Sequence, residues 1–207
     1  MKVGDSVRLA INDWERGEQE SAMLHACNSV DGTAKKIYPA LLNKQRFTQM
    51  LRDNYGVLGP MGAPGINLVE TRFPIKVNNP TAPGGEPDLA DLVYAIHRCT
   101  HGHGDELPGG YELIPDVAGP PGLTHVEIRK GGGVRLSDRM IFGLLAVAVL
   151  SPANNDQRVP DGYHLTFGRS ARLMINDWWG RAGDFPAIAA LEPVPLLKLD
   201  FSSWGRP

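Results

Sequence analysis

Residues 89–106 read LADLVYAIHRCTHGHGDE, and this stretch decides both the fold and the search for a functional site. Its apolar residues fall at positions i, i+3, i+4 and i+7, which form one face of an α-helix: Leu89, Leu92, Val93 and Ile96. Asp88 precedes them, where its carboxylate can accept hydrogen bonds from the first free backbone N–H groups. The pattern therefore predicts a helix over residues 88–101 that leads into a cluster of histidines.

The composition indicates a globular chain with a sizeable hydrophobic core. The chain has 207 residues, 42% of them apolar, and a net charge of −2 at pH 7. It lacks a block of basic residues, which argues against a broad electrostatic surface for nucleic acid but leaves room for a local basic pocket. Two cysteines make no disulfide framework, and the longest apolar run, residues 140–150, is too short to cross a bilayer. We therefore expect a cytoplasmic protein without a membrane-spanning segment.

Hydrophobic periodicity predicts a mainly helical fold. Helices are expected over residues 6–36, 43–55, 88–101 and 137–150. Gly17 weakens the middle of the first segment, which leaves one kinked helix or two helices as alternatives. The last segment is apolar on nearly every side, so we place it at the buried centre, as the antiparallel neighbour of residues 88–101. Clusters of glycine and proline predict loops at 59–65 and 78–87.

Alternating apolar and polar residues predict two β-hairpins. The run HVEIRKGGGVRL, residues 125–136, has a glycine turn between two alternating segments, and residues 163–175 repeat this arrangement around Gly168. Further strands are expected at 111–114 and 196–201. Residues 151–162 are rich in turn-forming side chains. We therefore predict a helical domain over residues 1–150, with an inserted β-hairpin, and a β-rich C-terminal extension over residues 151–207.

The histidine cluster allows three interpretations, of which metal binding is the first. The available ligands would be His97, Cys99, His101, His103, Asp105 and Glu106. His97 and His101 are four residues apart on one helix face, a spacing that can hold Zn²⁺. Against this, Cys99 lies about 200° around a regular helix from His97, and the chain has no CxxC or HExxH motif. In the second interpretation the histidines are solvated residues at a helix end, where cations interact favourably with the helix dipole.

The third interpretation is metal-independent chemistry on RNA by Arg98 and His103. An arginine offers a planar fork of donors to phosphate oxygens. A histidine that titrates near neutrality can take a proton from the 2′-OH and give one to the 5′ oxygen. Residues five apart differ by about 140° around a regular helix. The two side chains therefore converge only if Gly102 breaks the helix or if two protomers contribute one residue each.

The segment RCTHGHG, from Arg98 to Gly104, resembles the R-x4-6-H motif of HEPN-domain proteins, many of which are ribonucleases or toxins. The surroundings are similar as well: an apolar helix containing a tyrosine precedes the motif, and a strand region and a final apolar helix follow it. The resemblance covers the layout of residues 6–150. It implies a helical bundle, usually dimeric, with the motif at the dimer interface. Cys99 and Asp105 depart from the residues common in active and toxin-type members.

We therefore predict an α+β fold, a mainly α-helical HEPN-like bundle with β-hairpins, that cleaves or binds RNA in a toxin–antitoxin or defence setting. Arg98 would anchor the phosphate and His103 would act as the general acid and base, with His101 in reserve. Neither a metal nor another cofactor is expected. The expected partners are RNA, a second copy of the chain, and an antitoxin or other protein. The alternatives are a catalytically silent dimeric interaction module and a His/Cys metal-binding protein.

Overall fold

Helices form most of the regular structure. The computed structural model describes residues 2–98, 111–116, 126–129, 133–168 and 171–201, and the side chains of residues 97 and 98 lie outside this description. The α-helices within it are Val3–Glu15 (α1), Gln19–Ile37 (α2), Asn43–Asp53 (α3), Tyr55–Gly62 (α4), Leu89–Leu92 (α5), Arg139–Leu150 (α6), Ile175–Trp178 (α7) and Phe185–Ala189 (α8). A π-helical segment, Val93–Arg98, continues α5.

Gly17 separates the first two helices. Its φ of +78° lies in the left-handed region, which glycine adopts without steric cost, so the chain reverses and α2 packs against α1. Of the two alternatives left open by the sequence, two helices is therefore correct. Helix α3 begins at Asn43 as predicted and also packs against α2.

Helix α6 is the buried centre of the fold. Ten of its twelve residues are buried, and it packs against α4 and α2. The expected direct pairing of 88–101 with 137–150 is wrong in the described part of the chain, because α5 and the π segment pack against α2 and α3 instead. An apolar helix with no polar face can be covered from any side, and here α4 takes the place that we expected for α5.

The predicted loop at 59–65 is wrong over residues 59–62, which belong to α4. Glycine serves there for close packing rather than for a turn. A Cβ atom added to Gly143 of α6 would lie 2.7 Å from the Cα atom of Gly62, a separation that real structures do not show. The two helices therefore touch backbone to backbone at this point. Buried Leu58 and Met61 on α4 supply the apolar contacts beside it.

Both predicted hairpins are present. Val126–Ile128 (β2) pairs with Val134–Ser137 (β3) in antiparallel fashion, and Tyr111–Ile114 (β1) pairs with the other edge of β3 in parallel. His164–Phe167 (β4) and Ala171–Met174 (β5) form the second, antiparallel sheet. With these small sheets beside the helices, the α+β class is confirmed. In the described ranges no helix is both long and apolar enough to cross a membrane.

The segment around Leu197 is hydrogen-bonded to residues 65–71 and does not form the strand that was predicted over 196–201. The Leu197 amide donates to the Gly65 carbonyl oxygen at 2.8 Å, and the Leu197 carbonyl oxygen accepts from the Asn67 amide at 2.9 Å. Leu199 donates its amide to the buried Thr71 hydroxyl at 3.2 Å. The two backbone bonds of Leu197 make a single parallel bridge between Ile66 and Leu197.

Side chains from both sides of the expected domain boundary share one apolar core. Leu165, Ile175 and Phe185 belong to it together with Leu144 and Leu150 of α6. The division into residues 1–150 and 151–207 stays a prediction.

Candidate functional site

The predicted site residues lie mostly outside the described part of the chain. Arg98 is the last residue of the π segment, and its side chain is not described. His101 and His103 fall in the range 99–110, which the structure does not describe. The same holds for Cys99 and Asp105. The described residues therefore inform on how the chain that carries Arg98 is held, and not on whether the three side chains meet.

A buried ion-pair network holds the start of α5. Arg52 of α3 donates its Nε to Asp88 Oδ2 at 2.7 Å and its Nη2 to Asp88 Oδ1 at 3.0 Å. The same Nη2 lies 3.0 Å from Asp91 Oδ2, and the Asp91 side chain is fully buried. Asp88 also caps the helix as predicted, since its Oδ1 accepts from the Asp91 amide at 3.1 Å. One guanidinium thus joins both carboxylates of the first turn to α3.

The remaining acceptor positions of Asp91 are filled by the loop that precedes α5. Asp91 accepts from the amides of Thr81 and Ala82, at 2.8 and 2.9 Å, and the Thr81 hydroxyl lies 2.8 Å from its Oδ1. Buried charges are tolerated when they are paired and fully hydrogen-bonded. We call Arg52, Tyr55, Thr81, Asp88 and Asp91 the Arg52 network.

The pKa shifts in this network indicate a structural role. Burial alone would raise the pKa of Asp88, but the hydrogen bonds and charge of Arg52, with those of the Asp91 amide and Tyr55, outweigh burial and lower it. The Tyr55 hydroxyl donates to Asp88 at 2.9 Å, and burial together with this carboxylate raises the tyrosine pKa. Asp88 is therefore ionised and Tyr55 neutral at pH 7, and neither group is poised to exchange a proton there.

Aromatic packing fixes the π segment on α3. The Tyr94 ring meets the buried Phe47 ring edge to face, with centroids 5.5 Å apart. The Lys44 ammonium lies 5.8 Å from the Tyr94 centroid and donates to the carbonyl oxygens of Asn78 and Asn79 at 2.6 and 2.7 Å. Side chains of α3 thus hold α5 through the Arg52 network and the start of the π segment through Tyr94.

Sequence reasoning missed a cleft between α1, α6 and the β4–β5 hairpin. Its volume is about 440 Å³, and its walls include Trp14, Arg139, Phe142, Tyr163 and His164. The Trp14 and Phe142 rings meet edge to face, 4.9 Å apart. These residues come from segments more than a hundred positions apart, and the local pattern around His164 predicted no role for it. The one local indication of the cleft was Trp14, an aromatic residue among the charged residues at the C-terminal end of α1.

The described side chains contain no group of three or more His, Cys, Asp or Glu placed to hold a metal ion. This statement does not extend to the ligands of the metal-binding interpretation, because the side chains of His97, Cys99, His101, His103, Asp105 and Glu106 all lie outside the described part of the chain. That interpretation therefore stays an alternative.

Comparison with known proteins identifies relatives along almost the whole chain. A family model described as Rv1289 matches residues 2–205. Uncharacterized protein Rv1289 of Mycobacterium tuberculosis is 39% identical over 201 residues, which cover 97% of this chain and 94% of the relative. Uncharacterized protein Mb1320 of Mycobacterium bovis matches with the same identity and coverage. No solved structure matches significantly. From the span of the family model and the identity to these relatives, the chain belongs to the Rv1289 family.

Proposed function

We propose that this protein binds RNA and cleaves it without a metal ion, at a site to which Arg98 and His103 contribute. The observation that carries the proposal is the π segment Val93–Arg98, which ends at the arginine of the motif. Such segments are rare and occur frequently at functional sites. The Arg52 network and the Phe47–Tyr94 contact support the proposal, because a reacting arginine needs a rigid approach.

The proposed reaction is an internal attack of the RNA on itself. His103 takes the proton of the 2′-OH, and the 2′ oxygen forms a bond to the adjacent phosphorus. Arg98 donates hydrogen bonds to the nonbridging oxygens, where negative charge develops. The bond from phosphorus to the 5′ oxygen breaks, and that oxygen takes the proton that His103 received from the 2′-OH, which returns the histidine to its starting state. The products carry a 2′,3′-cyclic phosphate and a 5′-OH. His101 is the second candidate for either proton transfer.

The setting is part of the same proposal. We place the protein in the cytoplasm, as a homodimer in a toxin–antitoxin or defence system in which a partner protein would restrain the nuclease. The catalytically silent interaction module remains the alternative, since Cys99 and Asp105 differ from the residues common in active and toxin-type HEPN proteins.

The test compares cleavage of one RNA by five proteins in the presence of a chelator. Wild-type protein and Arg172→Ala should cleave it, because Arg172 is exposed on β5 and has no ion pair among the described residues. Arg98→Ala and His103→Ala should cleave roughly 10²–10⁴-fold more slowly. An RNA with a single 2′-deoxy substitution at the cleavage position should resist. His101→Ala identifies the histidine that carries the proton transfers.

Three outcomes would contradict the proposal. Normal cleavage by both histidine variants removes the proton-transfer role. Loss of activity with the chelator and recovery with zinc favours the metal site. Absence of cleavage by wild-type protein, with a partner protein still bound through residues 98–104, favours the silent interaction module.

A further inference from the structure

The cleft between α1, α6 and the β4–β5 hairpin has the dimensions of a small-molecule site. Its volume of about 440 Å³ lies within the range usual for ligand pockets. We infer that it binds a small organic cation, an ammonium or guanidinium group carried on a flat apolar body. This inference is independent of the proposed action on RNA, because none of the residues that line the cleft belongs to residues 98–104.

One wall of the cleft is an aromatic surface that remains partly open. Trp14 is 38% exposed although it packs edge to face against Phe142. Its indole Nε1 lies 3.4 Å from Asp138 Oδ2, which fixes the ring against α6. The face of an indole ring carries the partial negative charge that attracts a cation. This wall therefore offers both apolar contact to a flat body and attraction to a positive group.

The charged side chains of the cleft determine which ligand charge it favours. Glu15 and Asp161 line the cleft, and neither has an ion pair among the described residues. Arg139, the cation in the wall, is already engaged: its Nε donates to the Met61 carbonyl oxygen at 3.0 Å, and its Nη1 lies 3.5 Å from Asp116 Oδ2. The lining therefore presents uncompensated negative charge, which favours a cation and disfavours a phosphate.

The imidazole ring of His164 belongs to the same lining. His164 Nδ1 lies 3.1 Å from the Gly162 carbonyl oxygen. Because a carbonyl oxygen can only accept, Nδ1 is the donor of this hydrogen bond. In the neutral ring this leaves Nε2 as a hydrogen-bond acceptor. A ligand ammonium group can therefore meet carboxylates, an imidazole acceptor and an indole face within one cavity.

The experiment titrates three probes into the full chain by isothermal titration calorimetry: tryptamine, indole-3-acetate and spermidine. Tryptamine carries the ring and the positive charge, indole-3-acetate has the ring with a negative charge, and spermidine has positive charge without a ring. Tryptamine should bind one molecule per chain and at least roughly tenfold more tightly than either of the others. Equal or tighter binding of indole-3-acetate or of spermidine would overturn the inference. So would the absence of tryptamine binding up to about 10 mM.

Variants locate the binding. Glu15→Gln should weaken tryptamine binding by about two- to fivefold, and the double variant with Asp161→Asn should weaken it further. Trp14→Leu keeps an apolar side chain but removes the ring, and should weaken binding by roughly three- to tenfold. Glu20→Gln, which removes an exposed charge at the start of α2, is the matched control and should bind like wild type. Equal effects of Glu15→Gln and Glu20→Gln would place the binding elsewhere and overturn the inference.

Discussion

Arg52 and Asp91 form an ion pair, 3.0 Å from Nη2 to Oδ2, in which the aspartate side chain has no exposure to solvent. The pair connects α3 to the helix that leads to Arg98, and the loop before α5 closes over it through Thr81 and Ala82. An isolated carboxylate would not be tolerated at this position, since burying an unpaired charge costs several kcal/mol. The pair therefore makes the position of α5 depend on α3.

Removing the arginine should destabilise the fold strongly. Arg52→Ala leaves two buried carboxylates without their cation, and we expect the free energy of unfolding in urea to fall by about 3–5 kcal/mol. The control Arg172→Ala removes an exposed arginine and should stay within about 0.5 kcal/mol of wild type. A loss of less than about 1 kcal/mol in Arg52→Ala would show that the network contributes little net stability.

The lowered pKa of Asp88 predicts a loss of stability in acid. A carboxyl group whose folded-state pKa lies below its ordinary value of 3.8 contributes stability above that value. This contribution is lost as the pH falls through the lower pKa of the folded state. Urea unfolding measured from pH 6 downward should show a decrease below about pH 4. Asp88→Asn should be less stable at pH 6 and should show a shallower decrease. Parallel profiles for the two proteins would contradict this assignment.

Glycine at position 143 should be required by the contact between α4 and α6. Gly143→Ala places a methyl group 2.7 Å from the Gly62 Cα atom, and both partners are helix backbone that cannot move aside cheaply. We expect a loss of about 1–3 kcal/mol in thermal or urea unfolding. Gly56→Ala, on the exposed side of α4 with open space around it, should instead be neutral or gain up to about 1 kcal/mol. Equal losses in the two variants would rule out the backbone contact as the cause.

A composite active site predicts that two inactive variants restore activity when mixed. Light scattering should first report a dimer for the wild-type protein. If Arg98 of one protomer acts with His103 of its partner, a mixed dimer of Arg98→Ala and His103→Ala contains one intact site. Random exchange of subunits should then recover roughly a quarter of wild-type cleavage. Failure to recover any activity after verified exchange would indicate that both residues act within one protomer.

Short-range patterns in the sequence predicted the elements that depend on neighbouring residues. The Asp88 cap and the hairpin β2–β3 follow from residues a few positions apart, while at Gly17 the local pattern left one kinked helix or two helices open. Glycine was ambiguous: at Gly17 it allows a left-handed turn, while at Gly62 it allows close packing inside a helix. Nothing local distinguishes these two uses, so the loop predicted over 59–62 was wrong.

Relationships between distant residues could not be predicted in the same way. Arg52 reaches carboxylates 36 and 39 positions away, and Trp14 reaches Asp138 across 124 positions. Each of these side chains looks like an ordinary surface residue in its own stretch of sequence. The apolar pattern of α6 showed that the helix is buried but carried no information on its neighbours. For this reason we expected α5 beside α6, where the structure has α4.

The hydrogen bonds between residues 197–199 and residues 65–71 also constrain when the protein can finish folding. The Gly65 carbonyl and the Asn67 amide have partners that lie about 130 positions further along the chain. During synthesis the amino-terminal helices can assemble first, but this part of the structure stays unclosed until residue 199 has left the ribosome. Contacts of such long sequence separation slow folding, because the loop entropy is lost before the contact forms. A nascent chain of this protein can therefore form its amino-terminal helices at a stage when residues 65–71 still lack their hydrogen-bond partners at 197–199.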